Sequence, residues 1–447
     1  MAITRCFRRR FRPNDPGSLN LSPGGRDRAK LSARDTGDRM NRDRLHFFLL
    51  NIGHLLDHLL TLLFATIAAL ALSREWNLSY GELLAYATPG FFAFGVFSLP
   101  AGWIADKWNR DGMMVVFFTG IGLSSVATGF AQSPLQVGIG LFVTGMFAAI
   151  YHPVGLAIVT GKWRNTGMRI AVNGVWGNFG VASAALTAGY FIDHGGWRSA
   201  FIVPGLVTIG IGVFYAVMFR AEITAPAKPA TAKAVAAALP PELKALLLRI
   251  SIIVFATAAI SSMVFQSTTF ALPKIFDERL QGVAATVAGW FGASGGAAIA
   301  TTVGGFAFLI FTVASLAQLV VGSMLDKVGP RPVFLTCAAL QLVFFAIMPG
   351  LHDGIALAVA LGFMLGAFGQ IPINDYLIGR MAAGELRARI YGVRYVVSFT
   401  VFAAALPLIA FIHERWGFDT LFHVLAATAA ITLAIVACLP RRLPAPA

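Results

Sequence analysis

GMMVVFFTGIGLSSVATGFAQSPLQVGIGLFVTGMFAAIYHPVGLAIVTG, residues 112–161, runs for 50 positions without one Asp, Glu, Lys or Arg. A helix rises about 1.5 Å per residue, so a hydrocarbon core about 30 Å thick takes roughly 20 apolar helical residues. The stretch is long enough for two crossings and a turn. Ser133-Pro134 marks that turn, a capping residue followed by a proline in the first turn of the next helix. Windows of single-crossing length follow at 199–219, 251–272, 354–374 and 420–440. Barrel strands would alternate over short segments, whereas these windows are solidly apolar, so they read as helices.

Composition widens the reading to the whole chain. Its 447 residues are 57% hydrophobic and 13% charged, with a mean hydropathy of +0.72. Soluble domains carry roughly 25% charged residues. The sequence therefore predicts an all-α membrane protein. The net charge of +14 does not point to nucleic acid, because residues 1–46 hold twelve Arg/Lys against five Asp, half of the excess in one stretch. That stretch has no apolar segment of signal-peptide length and reads as a disordered cytoplasmic tail; the alternative is translation from Met40. Cys6, Cys337 and Cys438 offer no disulfide framework and no CxxC pair.

Twelve spans read near 46–72, 83–105, 112–131, 135–159, 169–192, 198–219, 249–273, 303–325, 332–350, 355–379, 389–412 and 419–439. Ser79-Tyr80-Gly81-Glu82 has capping-box spacing and would open the second. With the N-terminus inside, tails and inner loops hold 29 of the 35 Lys/Arg; only Arg74, Arg198, Lys274, Arg279 and Arg415 fall outside, and Arg394 lies within a span. Positive charge inside places both termini in the cytoplasm of a bacterial inner membrane.

The two halves repeat at an offset near 220 residues. Gly102-Trp103-Ile104-Ala105-Asp106-Lys107-Trp108-Asn109-Arg110 returns as Gly322-Ser323-Met324-Leu325-Asp326-Lys327-Val328-Gly329-Pro330-Arg331. Gly196-Trp197-Arg198 is answered by Arg415-Trp416-Gly417, Arg169-Ile170 by Arg389-Ile390, and Pro153 by Pro372. The pattern implies a basic tail at 1–45, a six-helix bundle at 46–220, a proline-containing cytoplasmic linker at 221–247, a second bundle at 248–440 and a tail at 441–447. The second half carries roughly 20 extra Gly/Ala-rich residues between its first two spans.

The repeated Gly-x3-Asp-Lys loop resembles that of the major facilitator superfamily, over essentially residues 45–440. The first copy departs from the family pattern at Asn109, where a glycine is usual, whereas the second keeps Gly329. His54-Leu55-Leu56-Asp57, Tyr151-His152-Pro153 and Gly177-Asn178-Phe179-Gly180 are similar to the fosmidomycin-resistance type of efflux protein. The resemblance implies two pseudo-symmetric six-helix bundles, a monomer, and a central cavity lined by the first, fourth, seventh and tenth spans inside an outer ring of the third, sixth, ninth and twelfth. It also implies a conformational latch, in which Asp106 reaches toward Arg389 and Arg394, and Asp326 toward Arg169. Gly102, Lys107, Arg110, Gly322, Lys327 and Arg331 complete the two latch loops. Simple pairing of Asp375 with Arg394 is the alternative.

Ionisable side chains at membrane depth cost roughly 2.5–3.5 kcal/mol on insertion scales, so they mark functional positions. Asn51, His54, Asp57 and His58 fall within about a 120° sector of the first span. His152, on the fourth, lies at a similar depth. Desolvation and a neighbouring charge act on such groups in opposite senses and bring them into the range where protons exchange. Asp57, His54, His58 and His152 are therefore expected to carry a coupling proton. Three histidines and a carboxylate also match a divalent-ion ligand set, a rival reading; no metal is expected. Substrate-binding candidates are Asn51, Tyr151, Asn173, Trp176, Asn178, Gln266, Gln370, Asn374 and Arg394. The stripe Gly174, Gly177 and Gly180 is expected to pack against a helix of the other half.

The glycine-rich stretch 289–305 lacks Gly-Lys-Ser/Thr, and no Gly-x-Ser-x-Gly or HExxH motif occurs, so no nucleotide, no other cofactor and no enzyme chemistry are expected. The expected function is proton-coupled efflux of a small organic compound, anionic or drug-like, by alternating access in the lipid bilayer. Symport of an organic acid is the alternative. A non-transporting sensor or partner subunit is the alternative of another class, and the basic tail is its only support.

Overall fold

The structure is a computed structural model that describes residues 23–163, 166–225, 241–290, 298–381 and 384–440. All regular secondary structure among the described residues is helical, with no strand. Residues 1–48 and 49–447 are two separate units. In the first, the described residues are helical.

Among the described residues, ten helices are long and apolar enough to cross a membrane. They are α1 (Pro23–Ile67, continued by a wider π turn, Ala68–Leu72), α2 (Tyr80–Lys107), α3 (Arg110–Gly129), α4 (Pro134–Lys162), α5 (Thr166–Met218), α6 (Pro241–Arg279), α7 (Ile299–Val328), α8 (Pro330–Ile347), α9 (Asp353–Met381) and α10 (Gly384–Ala437). Two expected caps are present. The Ser79 hydroxyl accepts the Glu82 N–H, and the Glu82 carboxylate accepts the Ser79 N–H. Ser133 caps α4 ahead of Pro134. The sequence leads one to expect twelve spans; the two longest of the ten helices, α5 and α10, each run through a single-residue break where the sequence predicts a turn between two spans. Gly196 (φ 75°, ψ 162°) breaks α5 and Gly417 (φ 75°, ψ −177°) breaks α10, conformations that only glycine adopts readily.

Lipid gives helices no hydrophobic reason to associate, so small residues that allow close approach set the contacts. A Cβ on Gly145 would strike the Gly90 carbonyl, joining α4 to α2, and one on Gly122 would strike the Gly205 carbonyl, joining α3 to α5. Gly189 lies against the Ala300 backbone and Gly304 against that of Ala185, so α5 and α7 meet backbone to backbone. α2 packs on α10, α6 on α9 and α10, and α8 on α9 and α10.

α1 is the most buried of the ten. α3 is more buried than α6, which differs from the order expected for a ring of outer helices. Burial inside protein and lining of a cavity are separate properties, since a lining helix is open on its polar side. The glycine stripe also meets a different partner from the one expected. Gly177 lies against the His54 ring and Gly180 against the Leu55 carbonyl, so it packs on α1, while Gly174 faces open space.

Candidate functional site

Pro153 has no N–H to offer the Ala149 carbonyl, so the α4 hydrogen-bond ladder turns over at Ala149-Ile150. The next segment opens with Tyr151 and His152, both buried. Opposite them, α1 presents His54, Asp57 and His58 at i, i+3 and i+4, which stack on one helical face. The imidazole centroids of His54 and His58 lie 5.0 Å apart, those of His54 and His152 5.2 Å, and those of His58 and His152 5.4 Å. Asp57 is fully buried, its Oδ2 lies 3.6 Å from His152 Nε2, and neither carboxylate oxygen has a hydrogen-bond partner among the described residues. The ring nitrogens of the three histidines converge within 4.8 Å, close enough to share one small cation.

A polar knot holds this cluster in place. A carbonyl can only accept, so the 2.7 Å contact to the Asn173 carbonyl puts a proton on His54 Nδ1. The Tyr151 hydroxyl donates to the Leu50 carbonyl at 2.6 Å and accepts from Asn173 Nδ2 at 2.8 Å. Asn173 Nδ2 also donates to Asn51 Oδ1 at 2.9 Å. Asn51, Tyr151 and Asn173, three of the substrate-binding candidates, are tied to one another across α1, α4 and α5. Trp176 and Asn178 flank Gly177 and are half-buried.

A second polar row joins α6, α8 and α9. Thr257 donates to Asn374 Oδ1 at 3.3 Å, Ser261 to Gln370 Oε1 at 2.6 Å, and Gln370 Nε2 to Gln341 Oε1 at 2.7 Å. The Gln266 amide is fully buried and finds no hydrogen-bond partner among the described residues. Beyond the row, Arg394 Nη1 donates to Asp375 Oδ1. Phe399 of α10 reaches α4 and α2, packing on the His152 ring (5.4 Å) and stacking on Phe94 (4.4 Å). Nothing in the sequence singles out Thr257, Ser261, Gln341 or Phe399. A hydroxyl in a helix can satisfy itself on its own backbone, so only the spatial partner marks it.

The latch residues sit otherwise than expected. Asp106 pairs at 2.8 Å with Arg110, which the short α2–α3 turn brings to it, rather than with α10. Arg394 is engaged by Asp375. Asp326 and Lys327 are exposed, Arg331 caps the Ala437 carbonyl at 2.9 Å, and the Arg169 guanidinium lies 4.9 Å from the centre of the Trp163 ring. Gly102 packs on Pro153, Gly322 faces open space and Lys107 is exposed. Arg389 lies outside the residues whose side chains are described.

A model of the family described as Major Facilitator Superfamily matches residues 50–310 and 299–447. The chain is 27% identical over 158 residues to the probable sulfoacetate transporter SauU of Cupriavidus necator, covering 35% of this chain and 36% of that protein. It is 24% identical over 143 residues to the gallate transporter of Pseudomonas putida, covering 32% of each. The match thus spans about a third of the length of these curated relatives. Among solved structures, the D-xylose-proton symporter aligns with a TM-score of 0.67 at 12% identity, over 88% of this chain and 97% of that one.

Proposed function

We infer the mechanism from one premise: this chain belongs to the major facilitator superfamily and is a multi-pass membrane transporter, not an enzyme. It works by alternating access between two pseudo-symmetric six-helix bundles, 46–220 and 248–440, joined by the linker 221–247. Twelve crossings are supported by the glycine breaks. The 51 and 42 residues of the apolar parts of α5 and α10 would extend about 75 and 63 Å, twice or more the hydrocarbon thickness. Termini on the cytoplasmic side of an inner membrane and a monomeric state complete the reading.

Transport is coupled to protons at Asp57. One observation carries this: a fully buried carboxylate with no hydrogen-bond donor, 3.6 Å from His152. An unpaired charge is not tolerated at that depth. The pair must therefore hold one proton, on Asp57 or on His152, whenever it is closed off from water. Opening to either side lets that proton exchange. His54, fixed as the Nδ1–H tautomer, and His58 extend the relay.

The cargo is a small organic compound. The names of the relatives, which carry sulfoacetate and gallate, support an anion. Export against protons is the direction we favour, from the likeness of the α1 and α4 motifs to fosmidomycin-resistance proteins; uptake by symport uses the same machinery.

The test is proton flux in proteoliposomes that enclose a pH-sensitive dye, screened with fosmidomycin, related phosphonates and small organic anions. Substrate-dependent proton movement is expected, and its loss in Asp57→Asn with folding intact. Unchanged coupling in that variant removes Asp57 from the mechanism.

A further inference from the structure

The Asp375–Arg394 pair is lopsided. The guanidinium side chain is 12% exposed and the carboxylate 42%, so the cation is the sheltered partner and the anion the more accessible one. Stripping a sheltered cation of its partner is costly, so an anion arriving from outside must replace Asp375 rather than add to it. The wall behind Asp375 is fixed: Gln370 and Asn374, on the same helix, are held by Ser261 and Thr257 of α6. The arm that carries Arg394 is fixed as well, through Phe399 against His152 and Phe94.

We infer that Asp375 is an internal stand-in for the anionic group of the cargo, and that a small organic carboxylate or sulfonate binds by taking its place on Arg394. A guanidinium fork matches a planar or tripodal oxyanion better than an ammonium does, which suits this chemistry. The exchange frees Asp375 from α10 and so loosens one α9–α10 tie as cargo enters. The inference rests on the transport reading above and names the class of its substrate.

Binding is tested on the purified full chain in detergent, with no gradient, by thermal-shift titration. The probes are gallate, sulfoacetate and pyrogallol, the last being gallate without its carboxylate. Gallate and sulfoacetate are expected to stabilise the protein, and pyrogallol not. Asp375→Asn should bind both anions about tenfold more tightly, as when an internal competitor fills nine-tenths of the sites. Arg394→Gln should lose the response to both.

Equal or weaker anion binding in folded Asp375→Asn overturns the inference. So does an anion response retained in Arg394→Gln, an equal response to pyrogallol, or no anion response in the wild type. Should Asp375→Asn fail to fold, Arg394→Gln decides: an anion response that it retains overturns the inference. Anion binding without any transport would count against the proposed function and spare this inference. Proton-coupled transport of neutral compounds, unaffected in Arg394→Gln, would do the reverse.

Discussion

Asn109 replaces a backbone conformation with a side chain. Its counterpart Gly329 turns the chain with φ +82°, whereas Asn109 stays extended at −165° and caps α3 by accepting the Gly112 N–H at 2.8 Å. Its amide then donates to the Glu222 and Ala225 carbonyls at 2.8 and 2.9 Å, anchoring the chain after α5. The departure from the loop pattern was visible in the sequence, but its partners, more than 110 residues away, were not. Asn109→Asp keeps the capping oxygen and loses both donors, each worth about 1 kcal/mol. Trypsin should then cut after the exposed Arg220 roughly tenfold faster or more, with little change in the global unfolding temperature. An unchanged cleavage rate would mean that the two bonds do not hold this segment. The histidine cluster was more legible than Asn109. Ionisable groups at membrane depth are few, and the i, i+3, i+4 spacing alone gathers His54, Asp57 and His58, so only the arrival of His152 needed the fold.

At the scale of helices, spacing announces that something comes close without saying what. The stripe at 174, 177 and 180 is regular, yet its three positions differ. A Cβ at 180 would meet the Leu55 backbone, which cannot give way; one at 177 would meet the His54 ring; one at 174 would meet nothing. Gly180→Ala should therefore lose about 1–3 kcal/mol through overpacking. Gly174→Ala should be neutral or gain up to about 1 kcal/mol in helix propensity. Heating followed by gel filtration of the detergent-solubilised variants separates the cases, and equal survival of both would remove the α1–α5 contact. Helix existence was legible for the same reason that partners were not: apolar length is a local property of the chain, and packing is not. The single-residue corners at Gly196 and Gly417 show the limit. The sequence marks both glycines, but only the backbone shows that no loop surrounds them.

For the molecule as a whole, the two proposed bundles are joined beside Ser79 at the start of α2, Asp277 near the end of α6, and Asp193 and Glu414 next to the glycine corners of α5 and α10. Arg74 pairs with Asp277 at 3.5 Å, Ser79 bonds Glu414, and the Tyr80 hydroxyl donates to the Phe270 carbonyl at 3.2 Å. Asp193 accepts both the N–H (2.7 Å) and the hydroxyl (2.6 Å) of Thr301. Directly beneath, α5 and α7 meet backbone to backbone at Gly189 and Gly304. Apart from the buried Tyr80 bond, the polar ties are exposed and worth about 1 kcal/mol or less each, so in the proposed cycle cargo and proton binding can break them as a set. The proposed alternating access requires that they break in every cycle. A chain with Cys6, Cys337 and Cys438 replaced by alanine, and Asp193 and Thr301 by cysteine, puts two thiols where these side chains now touch. A short thiol crosslinker should join them in the resting protein and stop transport, and a reductant should restore it. Crosslinking that leaves transport running would mean that this end never opens, and the two bundles would have to move about some other joint.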